Sequence, residues 1–274
     1  MLITNEANGS SDRPFLKWAG GKSGISAHIL SELPMRIDRY IEPFLGGGSI
    51  FFGVAPKQSV LADTNEWLVD TYRAVKKSWR AVEANLKEFR AGEDAYYRYR
   101  ELNPKDLSTT ERAALLIYLN RTCYRGVFRV NASGRFNVPY GAYANRPIYR
   151  PGELEKVARS LSGADLRIGD FEDTVSDFRK GDFVYFDPPY FQPHADEGFV
   201  RYNANRFSLF DHLRLRDLCV DLDRMGIKFA LSHVENDYIL DLYKGFKTKK
   251  IDGKWHITPG ASRRNVSELL IKNY

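Results

Sequence analysis

The chain is short of cysteine, with Cys123 and Cys219 its only two in 274 residues. Two thiols cannot build a disulfide framework or a four-cysteine zinc site. A reduced, cytoplasmic setting is therefore expected. The five histidines are scattered without ligand spacing, so no metal is expected either. No run approaches the roughly 20 apolar residues that a membrane span needs, so no membrane association is expected. The opening MLITNEANGSSDRP lacks a basic-then-apolar signal pattern and reads as a short tail ahead of Phe15. With 43% hydrophobic and 28% charged residues, the composition is globular, which excludes a disordered, collagen-like or coiled-coil chain.

One stretch has no acid at all. From Arg121 to Arg150 there are six arginines (121, 125, 129, 135, 146 and 150), no lysine and no Asp or Glu. A window of that length would hold about four acids at the average frequency of this chain. Its charge equals the formal +6 of the whole chain, which leaves the rest near neutral. The same window carries Tyr124, Phe128, Phe136, Tyr140, Tyr143 and Tyr149. Arginines interleaved with aromatics suit phosphate contact and base stacking. An incidental basic face is the plain alternative.

The apolar pattern alternates between strands and helices at both ends. Tyr40–Pro43 reads as a strand running into a glycine turn at Gly46-Gly-Gly48. Ser59–Asp63 is a second strand that ends on an acid. This is the opening βαβ of a doubly wound sheet. From Glu66 to Arg112 the pattern is helical. Ser108-x-x-Glu111 is a capping box for an apolar helix over Ala113–Leu119. The arginine window, with its glycines and asparagines, predicts loops and a hairpin. Beyond it, Gly152–Leu161 reads as helix, and Leu166–Ile168, Phe183–Phe186 and Lys228–Leu231 read as buried strands. Ser208-x-x-Asp211 opens a further helix, and Phe246–Ile251 and Val266–Ile271 are β-like. The fold class expected is α/β: a Rossmann-like sheet with helices on both faces, carrying a mainly helical insertion with a hairpin. Residues 1–65 and 150–274 would form the sheet domain, and 66–149 a helical, arginine-bearing insertion.

Three motifs carry chemistry. In Phe44-Leu-Gly46-Gly-Gly48, glycines after a strand let a ligand approach the backbone. Asp63, at the end of the next strand, can accept both hydroxyls of a ribose, or can serve as a helix cap for the segment from Asn65. Lys17-Trp-Ala-Gly-Gly-Lys22-Ser23 ends like a phosphate loop but has Leu16 where the required glycine would stand, so an NTPase is excluded. It reads instead as a nucleoside-contacting turn. Asp187-Pro188-Pro189-Tyr190 follows directly on an apolar strand. Two prolines cannot continue a central strand and stiffen the turn at its carboxyl end. The turn presents a carboxylate, a fixed carbonyl and an aromatic ring, which together can cradle a planar base with an exocyclic amine.

These motifs, in this order, resemble the Dam-like DNA adenine-N6 methyltransferases. The resemblance runs from about Phe15 to Lys272. It takes in Leu119-Asn-Arg121, Arg129-Val-Asn131, Phe136-Asn-Val-Pro139 and the tail Arg263-Arg-Asn-Val-Ser-Glu-Leu-Leu270. It implies S-adenosylmethionine as methyl donor and double-stranded DNA as substrate, with no obligatory protein partner. Carried over by position, Trp18, Lys22, Phe44, Gly46, Gly48 and Asp63 would line the cofactor pocket, with Asp170 at its adenine. Lys17, Tyr124, Arg125, Val127, Arg129, Asn131, Pro139 and Tyr143 would meet DNA. Asp187, Pro188, Pro189 and Tyr190 would be catalytic. Members that read GATC usually have Asn-Gly-Leu where this chain has Arg125-Gly126-Val127, and often Arg at Ala142. GATC is accordingly the first target to consider, and each departure could move base discrimination by about 1–3 kcal/mol.

The expected reaction is direct transfer to adenine N6 after the base flips out of the stack. Neither cysteine follows a proline, as the nucleophile of a C5-cytosine enzyme would, so both are expected to be packing residues. The neighbouring alternative is another amino-group methyltransferase, acting on cytosine N4, RNA adenine or a protein amide. A catalytically silent DNA-binding module is the alternative from a different class.

Overall fold

The computed structural model describes residues 14–143, 147–174, 176–191, 207–251 and 267–274. Arg146, the tail from Arg263 to Val266 and the first thirteen residues lie outside that set.

Seven strands form one sheet: β1 (Arg39–Glu42), β2 (Ser59–Asp63), β3 (Ala164–Ile168), β4 (Asp182–Phe186), β5 (Lys228–Val234), β6 (Lys247–Ile251) and β7 (Glu268–Lys272). Their order is β3-β2-β1-β4-β5-β7-β6. The strands from β3 to β5 run parallel, while β7 lies antiparallel between β5 and β6. The chain builds outward from β1 to β3, then returns to place β4 on the other side of β1. That reversal opens a crevice at the carboxyl ends of β1 and β4, where open α/β sheets hold their ligands.

The inner strands β1, β2, β4, β5 and β7 are buried on both faces, which is why they read as apolar runs. By contrast β3 and β6 are edges, so the strand expected to be buried at Leu166–Ile168 leaves Ile168 39% exposed. Alternate residues go to opposite sides. Tyr40, Leu61, Phe183 and Tyr185 join one core cluster, and Ile41, Val60, Val184 and Phe186 join the other. The second cluster is closed by α7 (Leu209–Arg224) and α8 (Asp237–Leu242). The first is shared with α1 (Ser26–Ser31), α2 (Ser49–Val54), α3 (Glu66–Lys87), α4 (Glu93–Arg100), α5 (Thr109–Thr122) and α6 (Glu153–Ser160). The helical middle of the chain and one face of the sheet thus have a single core.

Both capping boxes form. Ser108 Oγ accepts from Glu111 N–H while Glu111 Oε2 accepts from Ser108 N–H at 2.9 Å. Ser208 and Asp211 do the same at the start of α7. Helix α5 is apolar nearly all round and is buried from Ala113 to Arg121, as such a helix must be. It packs along α3, which itself leans on the sheet: Arg73 and Lys76 donate to the carbonyls of Leu166 and Ala164 in β3. The expected hairpin is present as two single antiparallel bridges, Cys123 with Tyr140 and Val130 with Phe136, rather than as extended strands.

The arginine window is not uniformly an exposed face. Arg121 is 8% exposed and donates to the carbonyls of Ile148 and Phe15 while pairing with Glu153 at 2.6 Å. It ties α5 to α6 and to the N-terminal segment, because a helix buried all round turns even its last-turn arginine inward. Phe128 and Phe136 likewise face inward. Cys123 and Cys219 are both buried, free thiols. No helix among the described residues is long and apolar enough to cross a membrane.

Candidate active site

A cavity of about 610 Å³ opens at the carboxyl ends of β1 and β4. The glycine turn after β1 forms its floor. Leu45 N–H donates to Ala62 O at 2.8 Å and Gly48 N–H to Leu45 O at 2.7 Å, which folds the turn back on β2. Gly46 has φ +47°, and a Cβ there would meet Trp18 Cδ1 at 2.8 Å. Glycine is required so that the Trp18 indole can lie against the turn. Trp18 stacks in turn on Phe128 with ring centroids 5.3 Å apart.

Asp63 stands at the end of β2. Its Oδ2 accepts from Gly46 N–H at 3.0 Å and its Oδ1 from Asn65 N–H at 2.9 Å. It therefore braces the glycine turn as well as the start of α3, where Asn65 is the cap. Burial raises the Asp63 carboxyl above its ordinary range, and backbone donors of Asn65, Gly46 and Thr64 pull it back. At the far end Phe44 packs on Phe171 and Phe207, each with centroids 5.5 Å away. Asp170 sits beside them, gripped by Arg214, whose Nη2 donates to its Oδ1 at 2.7 Å. Arg214 also pairs with Glu172 and Asp211 and lies over the Phe171 ring.

The opposite wall is Asp187-Pro188-Pro189-Tyr190. The turn is held from behind by His233 of β5: Phe191 N–H donates to His233 Nε2 at 3.0 Å. That assignment puts the ring proton on Nδ1, facing Val234 O at 2.8 Å. Burial holds the His233 imidazole down at about 4, which keeps it neutral for this role.

Lys22 links the walls. It is 1% exposed, in a 3-10 turn over Lys22–Gly24. Its ammonium donates to Asp187 Oδ1, to Gly20 O at 3.0 Å and to Tyr190 Oη at 2.6 Å. Burial raises the Asp187 carboxyl, and the Lys22 ammonium opposes that rise.

All the residues expected at the cofactor pocket and the catalytic turn thus line one cavity: Trp18, Lys22, Phe44, Gly46, Gly48, Asp63 and Asp170 with Asp187, Pro188, Pro189 and Tyr190. A small nucleoside-bearing ligand suits it. The glycine turn leaves open backbone, Asp63 and Asp170 offer carboxylates, and three phenylalanines form an apolar end for a purine ring.

The residues expected at DNA form a separate group beside the mouth. A smaller cavity is lined by Lys17 and Arg125 with Trp18, Ser23 and Ser49. Arg125 takes a left-handed conformation (φ 58°), its N–H donates to Tyr143 Oη at 2.6 Å, and its guanidinium lies over Tyr124. Tyr124 is 42% exposed and is anchored by its N–H to Pro139 O at 2.8 Å. Lys17 Nζ lies over the Tyr143 ring. Val127 packs partly into the core. Arg129 is exposed but oriented, donating to Asn137 Oδ1 at 2.8 Å and to Asn137 O at 3.1 Å. Asn131 holds the hairpin turn, its Oδ1 accepting from Ser133 and Arg135 N–H.

Sequence reasoning missed two buried acids at this site. Glu42, the last residue of β1, lines the cavity and accepts from Tyr40 Oη–H at 2.9 Å. Glu268, the first residue of β7, is 3% exposed and accepts from Tyr190 Oη–H at 2.9 Å. The signal for Glu42 was a lone acid next to an apolar run, and Glu268 stood within the tail Arg263–Leu270 that the resemblance takes in.

Comparison with known proteins agrees with this geometry. Residues 18–257 match the family model of D12 class N6 adenine-specific DNA methyltransferases. The chain is 35% identical over 271 residues to the type II methyltransferase M1.LlaDCHI of Lactococcus lactis subsp. cremoris, covering 96% of this chain and 95% of that one. It is 36% identical over 286 residues to the type II methyltransferase M.MjaIII of Methanocaldococcus jannaschii, covering 96% and 99%. It is 31% identical over 264 residues to the DNA adenine methylase of Escherichia coli, covering 94% of each. The methyl donor of the family is S-adenosylmethionine, whose nucleoside the cavity suits. The match of the family model over residues 18–257, with relatives aligned across nearly the whole chain, makes this protein a member of the D12 class N6 adenine-specific DNA methyltransferases.

Proposed function

We propose that this enzyme methylates an adenine flipped out of double-stranded DNA, with Asp187 and the Pro188 carbonyl accepting the two N6 hydrogens and Tyr190 stacking on the base. The observation that carries the reading is the convergence of the Asp187-Pro-Pro-Tyr190 turn and the glycine turn on one cavity. The cofactor supplies an electrophilic sulfonium methyl. The rest of the task falls to the chain.

Adenine N6 is a poor nucleophile because its lone pair is delocalised into the ring. Hydrogen bonds to two fixed acceptors favour a pyramidal nitrogen and stabilise the positive charge that grows on it. The stiff proline turn would hold those acceptors, and through them N6, in one place, which removes much of the entropic barrier. Once methylated, N6 would carry a positive charge and still hold both of its protons, one of which must leave, and Asp187 would be the base placed to take it.

Residues 66–149 are read as the target-recognition unit, and 1–65 with 150–274 as the catalytic unit. Lys17, Tyr124, Arg125, Val127, Arg129, Asn131, Pro139 and Tyr143 are assigned to DNA, with Arg125 and Arg129 best suited to guanine or phosphate. Flipping the base costs a few kcal/mol, which their contacts offset. GATC is the first sequence to test. The proposed setting is the cytoplasm, and no protein partner is required by this chemistry.

The test is transfer of labelled methyl from the cofactor to duplex oligonucleotides, followed by digestion and identification of the methylated base. N6-methyladenine is expected from the wild type, and none above background from Asp187→Ala that still binds cofactor. Full activity in Asp187→Ala would refute the proposed role.

A further inference from the structure

Behind the catalytic turn, one cation serves two carboxylates. The Lys22 ammonium donates to Asp187 on one side, and on the other lies 3.6 Å from Glu268 Oε1. Tyr190 bridges them. Lys22 has only donors, so Tyr190 Oη accepts from it and must direct its own hydrogen to Glu268, which it meets at 2.9 and 3.1 Å. The hydrogen-bond direction is therefore fixed from Lys22 through Tyr190 to Glu268.

Glu268 does not belong to the motifs that line the cofactor cavity. It reaches the site because β7 runs antiparallel, so that its first residue comes level with the carboxyl ends of β4 and β5, opposite Val234. A carboxylate that is 3% exposed at this point needs a reason, since burying it is costly without a cation.

The chemistry supplies one. Before the target arrives, Asp187 is engaged by Lys22. An amino group docking on Asp187 can use Oδ2, but it then shares a carboxylate whose negative charge is already drawn by the Lys22 ammonium on Oδ1. During transfer the amine itself becomes cationic, and a lysine still pressed on Asp187 would repel it.

We propose that Glu268 is a positioning residue for methyl transfer: it draws the Lys22 ammonium away from Asp187 as the target amine docks, and holds that cation back while positive charge grows on the nitrogen. The inference rests on the reading of Asp187 as the amine acceptor.

Ionised Glu268 does this work, and its carboxyl is pushed up to about 7, chiefly by burial, against the pull of Lys22. The groups facing it are Lys22 from the 3-10 turn, Asp187 and Tyr190 from the catalytic turn, and Tyr185 from β4. On β5, His233 packs against the Tyr190 ring. On the β6 side Lys250, adjacent to the Ile251 that pairs with Glu268, is matched with Glu235.

The experiment is single-turnover methyl transfer between pH 6 and 8.5 by wild type, Glu268→Gln, Tyr190→Phe and Asp187→Ala, with the cofactor dissociation constant measured for each. Glu268→Gln should slow transfer by about 10- to 100-fold, less than or equal to the loss expected for a direct electrostatic contact. Its cofactor affinity should stay within about threefold, as expected for a group that acts on the chemical step. The wild-type rate should rise through an inflection near pH 7 that Glu268→Gln lacks. Tyr190→Phe removes a hydrogen bond that favours the ionised carboxylate, so its inflection should move to higher pH, and this arm carries the test should Glu268→Gln not fold. A wild-type rate and profile in Glu268→Gln, or an unmoved inflection in Tyr190→Phe, would overturn the proposal. Activity retained by Asp187→Ala would instead overturn the underlying reading of the site.

Discussion

Asn120 grips Lys17 by both of its backbone groups. Its Oδ1 accepts from Lys17 N–H at 2.8 Å, and its Nδ2 donates to Lys17 O at 2.7 Å across a separation of 103 residues. The same Nδ2 donates to Gly126 O at 3.1 Å. One buried side chain at the end of α5 thus joins the loop that carries Trp18 and Lys22 to the loop that carries Arg125. The cofactor side and the proposed DNA side are mechanically coupled through it.

Asn120→Asp keeps the shape and removes both donors. The carbonyls of Lys17 and Gly126 would be left unpaired beside a buried charge, which should cost about 1–3 kcal/mol of stability. A thermal melt should show the loss, and DNA binding should weaken more than cofactor binding in a titration of each ligand.

Gly126 has φ +69°, and a Cβ there would meet Lys17 Cβ at 2.6 Å. Gly126→Ala therefore combines left-handed strain with a backbone-proximal clash, about 1–3 kcal/mol in all. Its expected signature is weaker DNA binding in a gel-shift or anisotropy titration, with a smaller loss of cofactor affinity transmitted through the Lys17–Trp18 loop.

Asp63→Asn probes the cofactor side. Each carboxylate oxygen accepts one backbone N–H, from Gly46 and from Asn65. An amide has only one oxygen, so its nitrogen would face a donor, at a cost of about 1–3 kcal/mol. Calorimetric titration should show cofactor binding weakened by about tenfold or more, which corresponds to ~1.4 kcal/mol.

Glu268 also leaves a trace in stability. Its carboxyl is raised from 4.5 to about 7 in the folded protein. Between those values the folded chain keeps a proton that the unfolded chain has released. The contribution of this residue to stability is thus present below about pH 4.5 and lost as pH rises through about 7. His212 and His233, both held down at about 4 by burial, act in the opposite sense below their ordinary range. They are common to wild type and Glu268→Gln, so the difference between the two proteins isolates Glu268. Denaturant unfolding at pH 5 and pH 8 should show that difference changing by about 1–3 kcal/mol in favour of the variant at pH 8.

Much of this was legible in the amino-acid order because the signals are local. The strands β2, β4 and β5 are mostly apolar runs, α5 and α7 announce themselves by a capping serine with an acid three residues on, and a double proline can only end a central strand. What was not legible required partners far along the chain. Arg121 looks like its neighbours Arg125 and Arg129 in sequence, yet it is buried on Glu153 because α5 is enclosed on every side. Asn131 reads in sequence only as a DNA contact, and the fold adds that its Oδ1 holds the hairpin turn.

The linear sequence by itself determined where the strands end, where the backbone must turn tightly and which turn offers a carboxylate, a carbonyl and a ring. Periodicity, φ restriction and missing donors act within a few residues, so they are readable there. Only the tertiary structure decided that β7 enters antiparallel between β5 and β6. That choice brings Glu268 level with Tyr190 and makes Lys22 a cation shared between the half-buried Asp187 and the buried Glu268. Charge sharing depends on distances of a few ångströms across strands remote in sequence, and those distances exist only once the sheet has been assembled.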